Sequence, residues 1–125
     1  MRQVSGIVFL LLTSLAFAQS PPLDAPPEGS VPIEGEALRQ RLSTKVFEFT
    51  APGTSVTSRL QYEANGFVFL NVSTGLSDSA AWRVEGPMLC AEWKKIPPSC
   101  SEMRVKGDLL FARRLNGPWG TLTPK

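Results

Sequence analysis

Cys90 and Cys100 bound the stretch "CAEWKKIPPSC", and Glu92 and Glu102 each follow a cysteine by two positions. These are the side chains with the most evident chemistry. The thiols could ligate a metal, exchange disulfides or crosslink the chain, and the carboxylates could pair as in glycoside hydrolysis. The chain contains no histidine. That removes a Ser-His-Asp or Cys-His arrangement, a histidine base, a His-ligated metal and c-type haem attachment. Zinc would need four ligands, and a C-x-x-C redox site needs two intervening residues where this stretch has nine. Glu92 and Glu102 alternate with Lys94, Arg104 and Lys106, a pattern of cross-strand ion pairing on a wet sheet face rather than of a catalytic pair. No motif marks a Ser-Lys dyad. The residues imply no catalytic group, no cofactor and no metal, and point away from an enzyme.

The compartment decides what the thiols do. The chain opens "MRQVSGIVFLLLTSLAFAQS", with Arg2 before an apolar run and Ala16 and Ala18 at the A-x-A spacing a signal peptidase reads. The run is shorter than the roughly 20 apolar residues of a membrane-spanning helix, and no Cys follows the cleavage site to carry a lipid. The expected processing is a signal peptide over 1–18 and a mature chain from Gln19, periplasmic or secreted and without a membrane span. In an oxidising compartment two cysteines pair, so a structural Cys90–Cys100 disulfide is expected. The formal net charge is +2, which argues against nucleic acid as a partner because such binders concentrate positive charge. The cations nonetheless gather late, at Lys94, Lys95, Arg104, Lys106, Arg113 and Arg114. The plain reading of that strip is a solvated sheet face.

The elements that position these groups follow from period and punctuation. "SPPLDAPPEGSVP" is too rich in proline for a helix or ladder, so 19–32 reads as an extended linker and 33–125 as one small domain. "IEGEALRQRL" is the one helical segment, with Leu38 and Leu42 on one face, placed to cap one end of a sheet. Thereafter the period is two. Phe47 and Phe49 share a face, as do Leu60 and Tyr62, Trp82 and Val84, then Leu89, Ala91 and Trp93, then Met103 and Val105. Cys90 and Cys100 fall on the opposite, charged face of neighbouring strands. "FVFLNV" is apolar on both faces, and Asn65-Gly66 reads as a hairpin turn with positive φ at both residues. Short strands with turns every eight to twelve residues predict an all-β antiparallel meander, curled into a small lipocalin-like barrel or sandwich, with one short N-terminal helix.

The string "DSAAWRVEGPMLCAEWKKIPPSCSEMRVKGD" resembles a family of small exported proteobacterial proteins of unknown function. The matching positions are Gly75, Trp82, Leu89, Cys90, Trp93, Cys100 and Gly107, and the resemblance runs from about Ile33 to Phe111. The chain departs from the family pattern at Ala80-Ala81, where a glycine precedes the first Trp. The resemblance implies a lipocalin-like β meander with a disulfide and lends no catalytic residue. Together with the aromatic load it suggests a binding module whose cup, lined by Phe47, Phe67, Trp82, Trp93 and Phe111, takes a small apolar or aromatic ligand. The alternative is an envelope protein-interaction or inhibitor role, in which Trp119 of "NGPWG" or the "KKIPPS" loop inserts into a partner.

Overall fold

The computed structural model describes residues 25–125, so the expected signal peptide and cleavage site lie outside the described residues. The elements are β1 (Val31–Pro32), α1 (Gly35–Leu42), β2 (Val46–Thr50), β3 (Thr57–Tyr62), β4 (Phe67–Val72), β5 (Ser77–Glu85), β6 (Met88–Trp93), β7 (Ser99–Lys106), β8 (Leu109–Arg114) and β9 (Gly120–Pro124). Each strand from β2 to β9 pairs antiparallel with its sequence neighbours, and β9 returns to pair with β2. The result is a closed eight-stranded up-and-down barrel, with β1 paired to the edge of β7 past the end of its ladder with β6. Closure leaves few unpaired strand edges.

The alternation read from the sequence sets the inside. Phe47, Tyr62, Val68, Trp82, Leu89, Met103, Leu110 and Leu122 form the core with Leu38 and Leu42 of α1. The helix closes one end of the barrel. Its first N–H donates to the Gly86 carbonyl in the β5–β6 turn, and the Arg41 guanidinium donates to the Gly107 carbonyl in the β7–β8 turn. Glu36 in its first turn and Arg39 and Arg41 in its last complement the helix dipole.

Two local expectations change. Between β3 and β4 only Gly66 has positive φ, at 93°, and Asn65 does not. The Gly66 N–H donates to the Glu63 carbonyl and the Glu63 N–H to the Phe67 carbonyl, so the connection is a longer turn ending in a left-handed glycine rather than a two-residue one. The proline-rich segment is also not all linker. Val31 and Pro32 form β1 against Val105 and Arg104, which proline tolerates because β1 is an edge strand. Arg104 donates to the Ser30 hydroxyl (2.9 Å) and carbonyl (2.8 Å), and Lys106 donates to the Glu28 carbonyl at 3.1 Å. Two of the six late cations, Arg104 and Lys106, therefore tie this segment to the barrel wall.

Candidate functional site

The barrel interior is divided by side-chain size. Toward α1 the inward positions carry Phe47, Tyr62, Trp82, Met103 and Leu110, which with Leu38 and Leu42 fill that half. Toward the other end the inward positions of β3, β6, β7 and β8 carry Ser58, Ala91, Ser99, Ser101 and Ala112. Eight strands enclose space for either side chains or one small ligand, and small residues at one end leave the space open. The cavity measures about 480 Å³, within the usual range for small-molecule sites of roughly 300–1,000 Å³. Its wall is mainly apolar, with Phe49, Leu60, Leu70, Val72, Leu89, Trp93 and Leu122 around the sides and Tyr62 and Trp82 at the base. The Phe49 ring fills the space beside Gly120 on the adjacent strand, where a Cβ would overlap it.

Tyr62 supplies a polar atom in that base. The residue is 5% exposed and its ring meets Trp82 edge-on at 5.5 Å. Burial alone pushes the phenol well above its ordinary pKa, so it is a neutral O–H donor throughout the physiological range. No hydrogen bond enters that shift, and no wholly enclosed side-chain oxygen lacks a partner among the described residues. Tyr62 lines the cavity, and its hydroxyl has no hydrogen-bond partner among the described residues. The Trp82 indole N–H, by contrast, is spent on the Glu63 carbonyl at 3.2 Å.

The mouth is framed by loops 51–56, 73–76, 94–98 and 115–119, which contribute Pro52, Leu76, Ile96 and Pro118 to the wall. Asp78, at the start of β5, holds the third of these in place. Its carboxylate accepts from the backbone N–H groups of Lys95 (2.9 Å), Ile96 (3.1 Å) and Ser79 (2.8 Å). Burial pushes the carboxyl up, but these N–H groups and that of Lys94 outweigh it and hold the pKa below the usual aspartate range. A depressed pKa contributes stability that is complete above the unfolded value, about 3.9, and is lost as pH falls through the lower folded value. Loop 94–98 should therefore stay pinned at neutral pH and loosen only below about pH 4. Hydrogen exchange at the Lys95 and Ile96 amides checks this: protection should drop in Asp78→Ala at pH 7 and in the native protein only in strong acid. Unchanged protection in the variant would show the loop to be held by packing instead.

The sequence-derived lining is partly redistributed. Trp82 and Trp93 line the cavity. Phe47 is buried beneath it, part of the core that fills the α1 half. Phe67 is 45% exposed on the outer face of β4, because its neighbours Val68 and Leu70 take the inward positions. Phe111 is buried on the outer face, register-paired with Arg104 and Thr121, while Leu110 and Ala112 point inward. Trp119 is half-buried with the Arg113 guanidinium 5.0 Å from its ring centroid. The carboxylate pair is separated from the cavity altogether: Glu92 accepts from Arg83 at 3.2 Å and Glu102 from Arg113 at 2.9 Å, both on the outer surface. Cys90 and Cys100 face each other across β6 and β7 and are joined by a disulfide. Arg114, read from the sequence only as part of a basic strip, is in the cavity wall at the mouth. No family model, no curated protein and no solved structure matches the chain, so the resemblance to exported proteobacterial proteins rests on the residues quoted for it alone.

Proposed function

We propose that this chain is an exported, non-enzymatic binding protein that holds one small, largely apolar molecule in the open half of its barrel. The observation that carries this reading is the cavity of about 480 Å³, apolar in its wall and open at one end. A core that needed only to fold would fill this space with the Leu and Phe residues that occupy the other half, since voids cost stability. The Tyr62 phenol, which has no hydrogen-bond partner among the described residues, adds a donor to the cavity wall. Export is supported by the signal-like opening of the sequence and by the disulfide.

Native mass spectrometry of the protein from its own host tests the reading. The expected spectrum shows the chain beginning at Gln19, lighter by two hydrogens, with a discrete low-mass adduct that organic solvent removes. The stripped protein should then brighten N-phenyl-1-naphthylamine, a neutral apolar fluorophore. A bare chain that also leaves the fluorophore dark would remove the reading.

A second reading has one observation in its favour. Phe67 and Phe69, each 45% exposed, form an apolar pair on the outer face of β4, and Leu115 is 87% exposed at the tip of loop 115–119. Such surface suits contact with an envelope protein. A mass spectrum showing a second polypeptide in place of a small adduct would favour it.

A further inference from the structure

The charges around the mouth say what kind of molecule the cavity would take, given that it binds one. Among the described residues Arg114 is the only charged one in the cavity wall. Among the described residues its guanidinium has neither an ion pair nor a hydrogen bond, whereas Arg104 and Lys106 hold the N-terminal segment and Arg113 holds Glu102. It stands opposite Ser101 on the adjacent strand, and the hydroxyls of Ser101 and Ser99 belong to the same wall. Lys94 and Lys95 lie in loop 94–98, and none of the four mouth loops contains Asp or Glu. The Asp78 carboxylate, at the start of β5, is already occupied by backbone N–H groups, and that of Glu102 by Arg113. A cation at the lip of an apolar cup, beside two hydroxyl donors and without an ion-pair partner among the described residues, is complementary to a carboxylate head on an apolar body.

We infer that the occupant is a single-chain amphiphile with an anionic carboxylate head, the head against Arg114 and the chain running down to Trp82 and Tyr62. This rests on the binding reading above and adds the head group to it. Size narrows the chain. With a methylene at about the liquid volume of a water, roughly 30 Å³, a cavity of about 480 Å³ holds on the order of sixteen chain carbons. That suits one medium-length chain and excludes a two-chain lipid.

Calorimetric titration of the intact protein with decanoate, decan-1-ol and decyltrimethylammonium separates this inference from the reading beneath it. Decanoate should bind the native protein roughly five- to tenfold tighter than decanol, with the cation weakest. The decanoate preference should shrink as salt rises, because the mouth is exposed and screened. In Arg114→Gln the advantage of decanoate should vanish with decanol binding unchanged, and Arg114→Lys should restore part of it. Unchanged decanol binding also reports that each variant is folded. Equal binding of decanoate and decanol, or a preference that survives Arg114→Gln, overturns the anionic head while leaving the cavity a binding site. Failure of all three ligands removes the binding reading and this inference together.

Discussion

Replacing Trp82 with alanine is expected to destabilise the protein by about 3–5 kcal/mol, the usual range for an aromatic removed from a core. Trp82 sits where the filled and open halves of the barrel meet. Its ring is buried against Tyr62, edge-on at 5.5 Å, and Tyr62 in turn meets Phe47 at 6.1 Å. Its indole N–H satisfies the Glu63 carbonyl and its backbone N–H the Gly66 carbonyl, so the side chain also fastens the β3–β4 turn to β5. Removing the ring leaves that carbonyl unpaired and opens a void beneath the existing cavity. Urea unfolding of Trp82→Ala and Trp82→Phe separates the two contributions. Phenylalanine keeps most of the volume and should lose only the hydrogen bond, on the order of 1 kcal/mol. Against a total stability of roughly 5–15 kcal/mol, the alanine variant should unfold at a much lower urea concentration. A loss below about 1 kcal/mol would place the ring outside the core.

The same substitution tests the floor. In Trp82→Ala the void joins the cavity above it, so the variant, where still folded, should accept a longer chain than the native protein. Trp93, on the cavity wall but only half-buried, should cost less stability and more affinity. Opposite ranking of the two tryptophans would show that the ligand contacts the base more than the sides.

Much of this arrangement could be read from residue type and spacing, and the failures have a common cause. Leu38 and Leu42 marked the buried face of α1, and strict alternation placed Trp82, Leu89, Ala91, Trp93 and Met103 inside. Alternation is silent where every residue is apolar. "FVFLNV" and "LLFA" fit either face, and a shift of one residue inverts a strand. The information lay in the turns. Val105 points inward, and across the two-residue Gly107-Asp108 connection it pairs with Leu110, which turns Phe111 outward and Arg114 into the mouth. Likewise Tyr62 pairs with Val68, which turns Phe67 outward. The cavity was less accessible to such counting. It depends on closure between β2 and β9, with Phe49 opposite Leu122, a pairing of strands at opposite ends of the barrel sequence. The one sequence signal for the space itself was the run of Ser and Ala at inward positions near the mouth, which alternation alone treats as ordinary strand residues.

Loss of the Cys90–Cys100 disulfide should lower the melting temperature by about 10–20 °C. The bridge closes a loop with a sequence separation of 10, for which the chain-entropy account gives slightly less than about 3 kcal/mol, and each kcal/mol moves the transition of a domain this size by roughly 4–8 °C. Its position makes the loss local as well as global. Strands β6 and β7 share four residue pairs, from Met88–Glu102 to Ala91–Ser99, whereas β5–β6 and β7–β8 share six each. Loop 94–98 cannot lengthen the ladder because Pro97 and Pro98 lack backbone donors. The disulfide thus fastens a short seam of the barrel, and both sides of that seam face the cavity through Leu89, Ala91, Ser99 and Ser101. In Cys90→Ala/Cys100→Ala, amide exchange should rise first along β6 and the start of β7, below the threshold for global unfolding, and ligand affinity should fall before the fold is lost. A double variant that melts within a few degrees of the native protein, with exchange raised evenly over the barrel, would mean that the four-pair ladder holds the seam unaided and that the crosslink acts only on the unfolded chain.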